Sequence, residues 1–240
     1  MFSFLSNKKS LLRVDIHSHL IPGIDDGAKT MENSIELILD LKEIGYKKLI
    51  TTPHISDMFP NSKEIILNEF ENLKSEVKKR EIEIELEVAA EYYADETFDR
   101  LLKEKNILNF GKENYLLFEL SYFTKPQDLE SLIYEIQLAG YTPVLAHPER
   151  YTYFHNSIDN YKQLKKATDV LFQMNIVSIV NYYSNEITKV AKQLINAGLI
   201  DFIGSDTHQK RHTKYIKKSL SDSFYKKIFK KNVILNDSLG

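Results

Sequence analysis

A repeated unit constrains the fold of this chain more than any other feature: a short apolar run that stops on a histidine or a carboxylate, followed by a stretch of helical period. Asp15-Ile16-His17-Ser18-His19, Thr51-Thr52-Pro53-His54, Ala89-Ala90-Glu91, Leu117-Phe118-Glu119, Leu145-Ala146-His147 and Ser205-Asp206-Thr207-His208 all end this way. Residues two apart in a strand share a face, so His17 and His19 can converge on one ion. Alternating strand and helix argues for parallel strands covered by helices, and polar groups gathered at strand ends are where barrel enzymes keep their chemistry.

Apolar patterning predicts strands at 13–16, 48–52, 82–88, 115–120, 141–146, 170–175 and 201–204. Thr30 is placed to cap a helix with Met31, Ile35, Ile38 and Leu39 on its apolar face, and Gly45 to end it. Further helices are expected near 62–80, 126–139, 158–168 and 185–196. The strict alternation Ile82-Glu83-Ile84-Glu85-Leu86-Glu87-Val88, continued, puts Ala89 and Glu91 on the face opposite the isoleucines, away from the helix-packed side. About seven β/α units follow, and a closed barrel suits them better than an open sheet. No phosphate-binding glycine fingerprint follows a strand, and no internal repeat or low-complexity linker divides the chain. With 240 residues and 42% hydrophobic content, one core suffices. The expectation is a leader, 1–12, and a single domain, 13–240.

Composition narrows the chemistry. There is no cysteine, which removes disulfides, thiolate-bound zinc and thiol nucleophiles together and fits a reducing compartment. The formal charge is -2, with Lys+Arg 32 against Asp+Glu 34, so no overall basic field exists to hold a nucleic-acid backbone. Met1-Phe2-Ser3-Phe4-Leu5-Ser6-Asn7-Lys8-Lys9 places a short apolar stretch before its lysines, the reverse of a secretory signal, and no run reaches membrane-spanning length. A cytoplasmic protein is expected. The leader reads as a frayed terminus, with contact to a membrane or a partner subunit as the alternative.

Imidazole and carboxylate donors without thiolate suit manganese, iron or zinc, and the share of hard oxygen leans toward manganese. A single member such as His54 or His147 reads equally as a hydrogen-bonded loop or core residue. The set points to metal, because buried carboxylates without a partner are costly.

His17-Ser18-His19, Asp25-Asp26-Gly27, Thr52-Pro53-His54, Glu91, Glu119, His147-Pro148-Glu149-Arg150-Tyr151 and Ser205-Asp206-Thr207-His208 together resemble, in order, the motifs of the polymerase-and-histidinol-phosphatase (PHP) superfamily. More closely, they are similar to its bacterial manganese-dependent protein-tyrosine phosphatases of capsular and exopolysaccharide synthesis. The resemblance implies a distorted (β/α)7 barrel holding three divalent ions. By the same carry-over, one ion takes His17, His19, Glu91 and Asp206. A second shares Glu91 and adds Glu119 and His147, and a third takes Asp26, His54 and His208. Asp25 competes with Asp26 for its place, with a turn or helix-capping role before Gly27 as its alternative.

Four ligand carboxylates against three divalent ions leave the site at about +2, attractive to a phosphate dianion. Ions so held would acidify water near neutral pH for in-line attack on phosphorus, so the resemblance implies that no covalent intermediate is required. A tyrosine phenolate, pKa about 10, leaves far more readily than a serine alkoxide and needs little help from a general acid. Arginine is scarce, only Arg13, Arg80, Arg100, Arg150 and Arg211. Arg150 and Arg211 each follow a proposed ligand by three residues, and a guanidinium clamps phosphate oxygens. Both are candidate catalytic residues, with a solvated basic loop as the alternative for Arg211. Tyr92, Tyr93, Tyr122 and Tyr151 line a groove for an aromatic ring or pack the barrel rim. His155 and His212 read as surface residues without a role, and Lys214 to Lys231 as a solvated helix face or a patch for an acidic tail.

The function implied is hydrolysis of phosphotyrosine on a protein, the tail of a bacterial tyrosine kinase controlling polysaccharide export, which would draw the enzyme to the inner face of the membrane. A small-molecule phosphatase of the histidinol-phosphate type is the enzymatic rival, and a catalytically silent docking module the non-enzymatic one. A homo-oligomer is compatible with the leader and exposed aromatics, though nothing sets its symmetry.

Overall fold

Seven positions in a ring of parallel strands hold the apolar runs, and the period of two sorts each run into an inner and an outer face. The computed structural model describes residues 9–155 and 157–240. Its strands are β1 (Val14–Asp15), β2 (Lys48–Thr51), β3 (His54–Ile55), β4 (Glu85–Val88), β5 (Glu91–Tyr93), β6 (Tyr115–Glu119), β7 (Thr142–Ala146), β8 (Leu171–Asn175) and β9 (Phe202–Gly204). Between and after them come α1 (Met31–Ile44), α2 (Lys63–Lys79), α3 (Glu96–Lys103), α4 (Leu129–Leu138), α5 (Ile158–Thr168), α6 (Asn185–Ala197), α7 (Lys210–Ser219) and α8 (Ser223–Lys231).

The ladders run β1-β2-β4 and β3-β5-β6-β7-β8-β9, all parallel. β2 pairs with β4 and β3 with β5, so each of these is one length of a longer strand, interrupted at Thr52-Pro53 and at Ala89-Ala90. Pro53 has no N–H to give a ladder, which accounts for the first break. The ring closes where Ser18 bridges Thr207, Asp206 N–H donates to His17 O at 2.7 Å, and His19 N–H donates to Thr207 O at 3.0 Å. The result is a seven-stranded β/α barrel, as the alternation predicts, with the distortion that the family resemblance implies.

Local chemistry sets the helix ends. Thr30 caps α1 by accepting from Asn33 N–H, and Gly45 terminates it at φ 123°. Ser62, Asp95, Asp128, Ser157, Ser184 and Asp222 accept likewise at the starts of later helices. The outer strand faces pack under the helices in one large cluster that includes Leu49, Phe118, Leu145, Phe172 and Ile203. The inner faces form a smaller one, with Ile16, Ile50, Ala89, Leu117, Val144 and Phe202. Ala89 is thus inside, and Glu91, two residues on, follows it there.

A C-terminal 3₁₀ segment, Asn236–Leu239, shuts one end of the barrel. Asn236 Nδ2 donates to Val14 O and Ile203 O while its Oδ1 accepts from Ile203 N–H. Lys48 Nζ, paired with Glu85 and Glu87, donates to Leu239 O at 2.7 Å. The strands' C-terminal ends are left to carry the site.

Four differences from the expected elements have local causes. Helix α3, unexpected, is a short element of eight residues that buries Phe98, Leu101 and Leu102 behind the Asp95 cap. Helix α4 starts at Leu129, after the Asp128 cap, so the stretch from Pro126 is not helical. Strand β4 begins at Glu85, and β1 keeps only two ladder residues. The lysine-rich stretch forms most of α7 and α8, with Ile216, Tyr225 and Ile228 buried beneath exposed lysines. Of the expected leader, residues 1–8 lie outside the described residues; Ser10 N–H donates to Ile44 O and Leu12 is buried. Among the described residues no helix is long and apolar enough to cross a membrane.

Candidate metal centre

His17 and His19 leave the end of β1 side by side, their Nε2 atoms 3.3 Å apart. The other nitrogen of each ring is engaged: His17 Nδ1 lies 2.7 Å from Gln173 Oε1 and His19 Nδ1 2.8 Å from Asp25 Oδ2. In the neutral form of each ring the acceptor takes the Nδ1 proton and leaves a lone pair on Nε2, aimed inward. Gln173 Nε2 donates on to Asn175 Oδ1, and Asn175 Nδ2 to Asp206 Oδ2 at 2.6 Å. One polar chain thereby fixes a ring from β1 and a carboxylate beyond β9.

Glu91 sits at the centre. Its Oε2 is 3.1 Å from His17 Nε2, 3.4 Å from His19 Nε2 and 3.3 Å from His54 Nδ1, and its Oε1 is 3.0 Å from His147 Nε2. Glu119 lies 3.4 Å from His54 Nδ1 and 3.6 Å from His147 Nε2. Asp206 Oδ1 approaches His17, His19 and His208 at 3.5, 3.6 and 3.3 Å. Asp26, the most exposed member, meets His208 at 3.3 Å and His54 at 3.5 Å. All nine predicted metal residues therefore join one continuous cluster. Within it, His19, Asp26, His54 and His208 can share an ion, as can His17, His19 and Glu91, or His17, His147 and Asp206, or His54, Glu91 and Glu119.

The residues fit a set of divalent cations. Donors about 2.0–2.2 Å from a common ion, at tetrahedral to octahedral angles, stand roughly 3.0–3.6 Å apart, the spacing found here. Burial and then the charge of Glu91 push the Glu119 carboxyl well above its ordinary value. Burial also opposes charge on Glu91, but the His17 and His54 rings outweigh it and hold that carboxyl well below its usual range. Two acids crowded into one dry site call for positive charge. Burial, reinforced by Arg150, pushes His147 down to about 4, so its ring is neutral at pH 7, the form that binds metal.

Strand-end backbone aims these groups. His147 (φ 33°) and Asp206 (φ 49°) both adopt left-handed conformations rare for residues with a Cβ, a strain of about 1–3 kcal/mol each that concentrates at functional sites. Gly204 makes room behind them: a Cβ there would stand 2.5 Å from Gln173 Nε2 and 2.6 Å from the His17 Cβ.

Asp25 and Asp26 divide their work. Asp25 is buried and accepts from His19 Nδ1–H and from the backbone N–H groups of Gly27 and His54, so it orients the His19 ring and anchors the backbone at His54. Asp26 faces the cluster. Arg150 lines the cleft and reaches Asp206 Oδ2 at 3.3 Å. Arg211 is exposed on the first turn of α7, over the rings of Tyr182 and Tyr215, and lines an adjoining cavity with Asp26 and His208 rather than the cleft itself. Among the tyrosines, Tyr122 lines the cleft and donates to Glu119 Oε2. Tyr92 and Tyr151 are core residues, their hydroxyls bonded to Leu108 N–H and to Leu120 N–H and Ala146 O. His212, expected at the surface, is buried, and its Nδ1 accepts from His208 N–H. Gln173, Asn175 and Tyr183 escape the sequence reading. The first two carry a signal, polar residues two apart at the end of an apolar strand.

The model of the family described as "Capsular polysaccharide synthesis, CpsB/CapC" matches residues 13–235. CapC of Staphylococcus aureus is 31% identical over 211 residues, spanning 86% of this chain and 81% of its own length. The tyrosine-protein phosphatase CpsB of Streptococcus agalactiae serotype III is 30% identical (81% and 82%), and the tyrosine-protein phosphatase YwqE of Bacillus subtilis 28% identical (81% and 77%). A crystal structure from work on YwqE of Bacillus subtilis and CpsB of Streptococcus pneumoniae, described as unique metal-dependent tyrosine phosphatases, superimposes with a TM-score of 0.79 over 92% of this chain and 96% of that one, at 24% identity. The chain therefore belongs to the CpsB/CapC family.

Proposed function

We propose that this protein is a metal-dependent protein-tyrosine phosphatase acting in capsular or exopolysaccharide synthesis. The observation that carries the reading is the convergence of nine histidine and carboxylate side chains at one barrel mouth, beside a buried-stem arginine, in a family whose relatives are named tyrosine-protein phosphatases. His17, His19, Glu91 and Asp206 would hold one ion, Glu91, Glu119 and His147 a second, and Asp26, His54 and His208 a third, with manganese the first choice. When bound, the ions supply positive charge for the phosphoryl oxygens and acidify water near neutral pH.

The chain's own groups do the rest. Asp25 and Gln173 keep the Nε2 lone pairs of His19 and His17 turned inward. Arg150 offers planar N–H donors to the non-bridging oxygens. Tyr122 and Tyr182 wall an open cleft, with room for a side chain presented on a protein. A phenolate leaves without a strong acid, and no covalent intermediate on the protein is needed. The substrate in this reading is a phosphotyrosine protein, the tail of a bacterial tyrosine kinase, which would recruit a cytoplasmic enzyme to the membrane's inner face.

The test is phosphate release with manganese from a phosphotyrosine peptide, a phosphoserine peptide and histidinol phosphate. Preference for phosphotyrosine, lost in His17→Ala and Arg150→Ala, supports the proposal. Preference for histidinol phosphate refutes the substrate, and no turnover with manganese, iron or zinc refutes the enzyme.

A further inference from the structure

Arg150 is bonded less firmly than a phosphate-binding arginine needs. Among the described residues its guanidinium has one hydrogen-bond partner, Asp206 Oδ2, at a long 3.3 Å. A side chain with this many rotamers is not fixed by one such bond. Two rings supply the restraint: the guanidinium carbon lies 4.3 Å from the centroid of Tyr122 and 4.5 Å from that of Tyr183. Each ring is itself held. Tyr122 O–H donates to Glu119 Oε2, while Tyr183 OH accepts from Asn175 Nδ2 at 3.0 Å and donates to Asp206 Oδ2 at 3.4 Å. The two rings come from distant segments, one after β6 and one after a 3₁₀ turn, Ile176–Val180.

We infer that Tyr122 and Tyr183 form an aromatic clamp that holds the Arg150 guanidinium in the plane needed to bind a phosphate dianion, making both tyrosines positioning residues. Both ring centroids lie within 4.5 Å of the guanidinium carbon, close enough for cation–π attraction to restrain it while its N–H groups remain available for phosphate oxygens. The inference rests on the proposed function only for the identity of the ester; the clamp itself concerns phosphate.

The experiment measures the affinity of the metal-loaded protein for inorganic phosphate, and kcat and KM for an aryl phosphate, in Tyr122→Leu, Tyr183→Leu, the matching Phe variants, Arg150→Ala and the Arg150→Ala/Leu doubles. Bound metal and melting temperature are matched across the set. Each Leu variant is expected to weaken phosphate binding and raise KM about tenfold, Phe to stay within about threefold, and Leu to cost nothing more once Arg150 is gone. Leu variants that bind like wild type overturn the clamp, as do losses that add in full to Arg150→Ala. Phe variants as weak as Leu overturn it too, since the hydroxyls rather than the rings would then matter. A wild-type protein that binds no phosphate also overturns it. One that binds phosphate but leaves phosphotyrosine intact refutes the proposed function and keeps the clamp.

Discussion

His17 and His19 can address the same ion only because Gln173 and Asp25 occupy their other nitrogens. The orienting residues should therefore matter almost as much as the ligands. Gln173→Leu and Asp25→Ala are each expected to lower metal affinity about 10- to 100-fold while the fold persists. Metal titration followed by calorimetry checks this, and unchanged affinity would mean that the rings are held by other contacts. Residue roles were unevenly legible in the sequence. The directions of His17, His19 and Glu91 follow from the period of two, since strand geometry decides which way each points, while their assignment to particular ions follows from the family resemblance. Asp25 and Asp26 cannot be told apart that way, because both sit in a turn where no period applies. Tyr183 gives no signal at all, since a 3₁₀ turn delivers it to Arg150.

Among elements, the strand ends depend on close backbone approach. Gly204→Ala would drive a Cβ into Gln173 and His17. The expected cost is about 1–3 kcal/mol in urea unfolding, along with weaker metal binding. Helix α6 is capped by Ser184, which accepts from Ile187 N–H, and Ser184→Ala should cost about 1 kcal/mol with no change in metal affinity. A Gly204→Ala protein as stable as wild type would show that β8 and β9 can separate without loss. The helices with long apolar periods and clear caps, α1, α2, α5 and α6, are readable from the sequence to within a residue or two. Helix α3 is not, being only eight residues, about two turns, long. The place of Arg211 is similarly hidden: its distance from His208 is visible in the sequence, but the start of α7, which sets its direction, is not.

At the scale of the molecule, the barrel has one end plugged by Asn236 and its neighbours and the other lined with buried acids and imidazoles. Ions that bind only the folded state stabilise it by mass action, by about 2.7 kcal/mol for each site filled at a hundred times its dissociation constant. Chelation should therefore lower the melting temperature, and manganese should restore it in the wild type but only partly in His17→Ala. Differential scanning calorimetry reads this directly. The ring of seven strands was legible because each apolar run ends in its own polar residue. Closure was expected, but not the contact that makes it, since the Ser18–Thr207 bridge joins residues near opposite ends of the chain.

If these nine side chains form one multinuclear metal site, equilibrium dialysis against manganese, with the bound metal counted per chain, should find three ions on the wild-type protein. Glu91→Gln should lose at least two, because Glu91 touches both inner groups. A wild-type chain that binds one ion or none, or a Glu91→Gln variant that keeps all three, would contradict it.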